Sequence, residues 1–276
     1  MFTMARKPQP VPGGGIVAPP VVVSGGREWR AVGRTGVSIL AALLVWAGLA
    51  AVLGDPSHAP GPQQVLPELV RGIFSGKMLP DLGATMVRVV ASFVLAMLAG
   101  TVLGIVLGLS RRVNDWFDPW LTIWNNIPAL VLIVLCYLWI GLNETAAITA
   151  VALNKVPLVA VILREGVRAR DPALSEMARV FGMGFVARHR HILIPQLMPH
   201  IIAAARAGLA LIWKVVLVVE FLGRSNGIGF RIHLNFQMFD IAGVLAWAAA
   251  FVTVMLAVEW LILAPLSVRA NRWRRE

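Results

Sequence analysis

Of the 276 residues, 58% belong to the hydrophobic class and only 14% are charged, with a mean hydropathy of +0.76. A soluble globular domain carries roughly 25% charged and about 45–50% apolar residues, so this balance excludes one. The net charge of +11 sits in short basic clusters between long uncharged runs, a pattern that suits the flanks of membrane spans and not a nucleic-acid surface.

In chain order, residues 1–34 hold Pro8, Pro10, Pro12, Gly13, Gly14, Gly15, Pro19 and Pro20 without helical periodicity, which predicts a flexible cytoplasmic tail. The 20 uncharged residues between Arg34 and Asp55 can cross a hydrocarbon core of about 30 Å. This run is longer than the apolar core of a secretory signal, so it is expected to stay in the chain as the first span. A second span comes from the 22 uncharged residues between Arg88 and Arg111, and a third from the 25 between Asp118 and Glu144. The fourth is expected from about Thr145 to Leu163, carrying Lys155 and bent at Pro157. A fifth runs from about Leu197 to Leu222 and a sixth from near Ile241 to about Val268. The expected architecture is therefore an all-α, six-span membrane domain over residues 35–268, with a basic cytoplasmic C-terminus at 269–276. In the second span Ala96, Gly100, Gly104 and Gly108 recur every fourth residue, a stripe that lets another helix approach closely in lipid.

Basic residues near span ends resist translocation, and their distribution sets the orientation. The tail (Arg6, Lys7, Arg27, Arg30, Arg34), the second-to-third loop (Arg111, Arg112), the fourth-to-fifth loop (Arg164, Arg168, Arg170, Arg179, Arg188, Arg190) and the C-terminus (Arg269, Arg272, Arg274, Arg275) carry 17 of them. The opposite loops carry four: Arg71, Lys77, Arg224 and Arg231. Both termini are expected in the cytoplasm.

The fourth-to-fifth loop, residues 171–195, is too patterned for a linker. Asp171 can cap a helix that starts at Pro172, and Gly182 can end it. Within that helix Leu174, Met177, Ala178 and Phe181 follow i, i+3, i+4, i+7 spacing and form one apolar stripe, to be covered either by the chain's own spans or by a partner. Glu176, Met177 and Ala178 are followed after three residues by Gly182, then after nine more by Ile192, and by Pro195.

That spacing resembles the signature of ATP-binding cassette (ABC) importer permeases, E-A-A, three residues, G, nine residues, I-x-L-P. Met177 stands for the first alanine and Ile194 for the leucine, and both keep the face apolar. Asp118-Pro119, Asn126 to Ala129, Trp139 to Gly141, the spacing of Pro195, Pro199, Arg206 and Trp213, Glu220, and Gly227 to Gly229 extend the likeness over roughly residues 81–273. They are similar to the nitrate, sulfonate and taurine branch of that family. The resemblance implies a permease subunit of the bacterial inner membrane, with a cytoplasmic coupling helix between spans four and five. It further implies a homodimer of permeases, two ATPase subunits that bind the ATP and Mg, and a binding protein that delivers a small anion such as nitrate, a sulfonate, taurine or bicarbonate. A neutral or cationic nutrient carried on the same architecture, or a self-sufficient secondary transporter working through Glu220 and Glu259, are the alternatives.

This division of labour agrees with what the chain lacks. No G-x-x-x-x-G-K-[ST] loop occurs, no catalytic constellation surrounds the scattered histidines, and with Cys136 as the only cysteine no intrachain disulfide or Cys-based metal cluster can form. No catalytic residue, metal or cofactor is expected in this chain, and no nucleic-acid partner. Ionisable residues inside spans are functional candidates because they are costly there. At 1.5 Å per residue, Lys155 and Arg206 both come near mid-depth, Lys214 in the outer third, Glu220 near the outer edge and Glu259 near the inner end of the sixth span. With no acid expected at the depth of Lys155 and Arg206, these two, Lys214 and Glu220 form the expected translocation path. The resemblance also gives Arg206 a scaffold reading, since related permeases commonly keep a basic residue at its spacing. Lys155 departs from the apolar, aromatic sequence of sulfonate permeases and is the sharper candidate for cargo specificity.

Overall fold

The computed structural model describes residues 26–263 apart from Pro56, and among them every regular element is helical. In order these are α1 (Gly26–Leu53), α2 (Pro62–Phe74), α3 (Leu79–Leu109), α4 (Arg111–Asn126), α5 (Ala129–Ile140), α6 (Glu144–Arg168), α7 (Pro172–Val180), α8 (Phe185–Arg188), α9 (Ile194–Gly223), α10 (Ile228–Gln237) and α11 (Ile241–Val258). A π-helical turn, His189–Leu193, leads into α9, and a second, Glu259–Leu263, follows α11. The chain divides into a unit through Gly48, which holds most of α1, and a unit from Leu49 onward that holds the rest. Five helices are long and apolar enough to cross a membrane, or six if the bent pair α4–α5 counts as one span.

That bent pair corrects the third span. The uncharged run between Asp118 and Glu144 is not one rod: α4 and α5 meet at 92°. A residue before proline is pushed out of the helical region, and Ile127, before Pro128, is extended at φ −67° and ψ 124°. The 12 residues of α5 extend only about 18 Å, too short to cross alone. Gly141, at φ +93°, ends α5 in a conformation that a side chain resists. By contrast, α6 runs unbroken through Lys155 and Pro157.

In the second unit α3, α6 and α9 form the heart. Along α3 the small residues meet α6 at backbone distance. A Cβ on Gly100 would lie 2.5 Å from Val159 Cβ, one on Gly104 2.6 Å from the Ala160 carbonyl oxygen, and one on Gly108 2.5 Å from Val167 Cβ. The stripe is a packing seam. Small buried residues on α6, among them Ala146, Ala147, Ala150 and Ala160, complete it. Ile133, Val151, Ile212 and Val216 fill the adjoining core, closed by Trp213 against Phe251 edge to face at 5.6 Å.

The boundaries of the expected tail also move. Helix α1 begins at Gly26, so residues 26–34 are helical and not part of a tail. Apolar runs mark where a helix is in lipid, whereas the helix itself continues into polar residues because its backbone is satisfied internally. Residues 1–25 and 264–276, including the end of the sixth span and the basic C-terminus, lie outside the described residues. Two helices not anticipated, α2 and α10, occupy the loops at the end of the second unit opposite α7, and both pack against α11.

Candidate functional site

The 171–195 segment folds from local instructions. The Asp171 carboxylate accepts from the Ala173 N–H at 2.8 Å, capping α7 with Pro172 in its first turn. At the other end the Met183 N–H donates to the Ala178 carbonyl (2.9 Å) and the Gly182 N–H to the Arg179 carbonyl (3.2 Å). With Gly182 at φ +63°, this is a Schellman ending. The Asp171 N–H also donates to Gln196 Oε1 at 2.8 Å, clipping the start of α7 to the first turn of α9.

The anticipated stripe divides between two surroundings. Ala178 is fully buried against the body, and Ile192 is buried in the π turn below. Leu174, Met177 and Phe181 are exposed, together with Val180 and Val186, which sequence reasoning passed over. Glu176 and Pro195 are exposed as well, Pro195 in the first turn of α9. Helix α7 is thus fixed on one side and presents apolar side chains on the other.

The expected path residues do not form one constellation. Lys155 on α6 is half-buried and Lys214 on α9 exposed, and neither has an ion-pair partner among the described residues. Beside Lys155, Asn154 keeps a buried Oδ1 without a partner. Arg206 corrects the expectation that no acid shares its depth, because its Nη2 donates to Glu259 Oε1 at 3.2 Å. Rise per residue places a group along its own helix only, and the offset between α9 and the end of α11 brings this pair level.

Glu220 is the larger correction. It is 0% exposed and stands at the centre of a buried polar lock. Arg88 Nη1 donates to Glu220 Oε1 at 2.6 Å, while Glu220 Oε2 accepts from Thr85 Oγ1 (2.9 Å) and the Gly229 N–H (2.8 Å). The rest of the Arg88 guanidinium grips Glu144, with Nε to Oε2 at 2.7 Å and Nη2 to Oε1 at 2.6 Å, and also bonds Asn226. Arg224 closes on the same Glu144, and Asp81 receives the Gly227 N–H (2.8 Å) and Arg231 Nε (2.7 Å). Three arginines face three carboxylates, joining α3, the start of α6, the end of α9 and the turn into α10. A Cβ on Gly227 would lie 2.5 Å from Glu220 Cδ and 2.6 Å from Arg88 Nη1, so only glycine fits there. Sequence reasoning read Arg88 as the flank of a span; the sole hint was Arg88, Glu144 and Glu220 lying at corresponding span ends.

A family model described as binding-protein-dependent transport system inner membrane component matches residues 100–264. The chain is 28% identical over 247 residues to the taurine transport system permease protein of Escherichia coli (strain K12), covering 87% of this chain and 90% of that one. It is 27% identical over 218 residues to a putative aliphatic sulfonates transport permease protein of Bacillus subtilis (strain 168), covering 79% and 72% respectively. Among solved structures it is similar to an amino acid ABC transporter crystallised with histidines, with a TM-score of 0.58 at 21% identity over 71% of this chain and 95% of that chain. The last likeness speaks to the fold alone.

Proposed function

This chain belongs to the binding-protein-dependent transport system inner membrane components, and from that premise we propose how its parts divide the work of an importer. It is a multi-pass, inner-membrane permease subunit of an ABC importer, of the nitrate, sulfonate and taurine type. The proposal adds two ATPase subunits docking on α7, a binding protein delivering cargo at the opposite end, a second copy of this chain completing the path, and both termini in the cytoplasm. ATP and Mg would be held by the ATPases, leaving this chain no chemistry to perform.

The observation that carries the coupling role is the two-sided setting of α7. Its start is hydrogen-bonded to Gln196, Ala178 is buried, and Leu174, Met177, Val180 and Phe181 are left exposed. A push on that apolar face is passed directly to the first turn of α9, because the clip joins the two helices. For the cargo, Lys155 and Lys214 supply positive charge on α6 and α9 with no ion-pair partner among the described residues, which suits a small anion such as a sulfonate. A second copy would double that charge about the dimer axis. The alternative of a gradient-driven transporter is disfavoured, since Glu220 and Glu259, the carboxylates it would protonate, are both held by arginines.

The test is purification of the tagged full chain from its own host in mild detergent, with the copurifying proteins identified. Recovery of an ATPase that is lost when residues 171–195 are disrupted supports the reading, and a chain that purifies alone and drives gradient-dependent uptake in liposomes refutes it. For cargo, Lys155→Met should lower anion uptake while leaving ATPase association intact. Unchanged uptake across sulfonates, taurine and nitrate would remove Lys155 from the path.

A further inference from the structure

Behind α7 lie two cavities of about 230 and 410 Å³ whose walls share Arg170, Ser175 and Arg188. The larger is also lined by Arg168 and Arg179, and among the described residues the only carboxylate in either wall is Glu176. Arg168 reaches Glu165 at 3.5 Å, but Arg170, Arg179 and Arg188 have no ion-pair partner among the described residues. Guanidinium groups keep their charge at every physiological pH, so this concavity holds several fixed positive charges against one negative.

A second observation comes from Gln196, which lines the smaller cavity. Its Oε1 is taken by the Asp171 N–H, while its Nε2 is turned away from solvent and has no partner among the described residues. The Arg170 and Arg188 forks and the Ser175 hydroxyl in one cavity call for a ligand that accepts. Phosphate oxygens meet that description, and arginine pairs with them through two parallel hydrogen bonds.

The remaining wall indicates where the phosphate comes from. Leu109, Ile192 and Leu193 line the smaller cavity beside the arginines. Leu109 is the last residue of α3, so the cavity lies where a membrane helix ends and polar headgroups begin. The geometry points to a binding site for a phosphate group, supplied by the headgroup of an anionic phospholipid whose glycerol end rests on Leu109, Ile192 and Leu193. Basic pockets between helix ends are suited to such headgroups. A lipid bound here would lie against Gln196, the residue that ties α7 to α9, making the rigidity of the coupling loop depend on lipid composition. The site stands apart from the transport reading, since it needs neither a cargo nor an ATPase.

Native mass spectrometry of the purified full chain, incubated with equal amounts of phosphatidylglycerol and phosphatidylcholine, tests it. The expected result is at least fivefold more phosphatidylglycerol retained than phosphatidylcholine, lost in Arg170→Gln/Arg188→Gln and kept in Arg112→Gln, an exposed arginine outside the cavity. Equal retention of the two lipids by the unaltered chain overturns the proposal without recourse to any variant. Displacement of phosphatidylglycerol by millimolar inorganic phosphate assigns the site to a soluble phosphate and overturns the lipid source. If the double variant keeps its phosphatidylglycerol but no longer copurifies an ATPase, the arginines face a protein partner, and the lipid site is again overturned.

Discussion

Gly104 and Gly83 lie on the same helix and face different surroundings. A Cβ on Gly83 meets nothing within 4 Å, whereas one on Gly104 would stand 2.6 Å from the Ala160 carbonyl oxygen and 2.8 Å from Leu163 Cβ. Ordinary carbon contacts begin near 3.4 Å, so Gly104→Ala forces α3 and α6 apart by roughly 0.8 Å against backbone that cannot rotate away. Both substitutions gain the same helix propensity, about 0.8–1 kcal/mol, so comparing them cancels it. What remains is the overpacking term, about 1–3 kcal/mol, which corresponds to a fivefold to 150-fold change in an equilibrium constant. Apolar burial does not offset it, since lipid tails are as apolar as the seam. Unfolding of each variant by titrating sodium dodecyl sulfate into mixed micelles should show Gly83→Ala more stable than the unaltered chain and Gly104→Ala less stable than Gly83→Ala by that margin. Equal midpoints for the two variants would refute the close α3–α6 seam.

Two further outcomes follow from the lock and the loop. Arg88→Met leaves the Glu220 carboxylate buried with its ionic partner gone and should destabilise the chain by about 3–5 kcal/mol; adding Glu220→Gln should restore part of that loss, and no recovery in the same titration would show that Glu220 is not the group left stranded. Gly182→Val must hold a branched side chain at φ +63°, at a cost of roughly 1–2 kcal/mol to the end of α7. ATPase stimulation should fall while the spans unfold normally. Gly184→Val, with open space at its Cβ and no left-handed φ, is the control, and equal stimulation in both would separate α7 geometry from coupling.

What could be read from the chain was what is encoded locally. Apolar runs located α3, α6, α9 and most of α11, and Asp171, Pro172 and Gly182 marked both ends of α7 because caps and left-handed glycines act within a few residues. The α4–α5 bend was hidden because a count of charges treats Asp118 to Glu144 as uniform, although Pro128 lay in plain view. Arg88 was hidden for another reason: its partners Glu144 and Glu220 are 56 and 132 residues away, and only the folded bundle brings them together. The same holds for Arg206, whose apparent isolation came from comparing heights on two helices with unknown offset.

The distance in sequence between Arg88 and Glu220 also sets an order of events during synthesis. At about 5–20 residues per second, the 132 residues between them take roughly 7–26 s to emerge. Through that interval α3 has no Glu220 to receive its guanidinium, and a stranded charge in hydrocarbon would hinder insertion. The length of α3 resolves this. Its 31 residues extend about 46 Å, well beyond a core of about 30 Å, and Arg88 lies about 14 Å from the first residue. The surplus lies before Arg88: with residues 89–109 spanning about 31 Å and filling the core, Arg88 can rest at the headgroups until α6 and then α9 arrive.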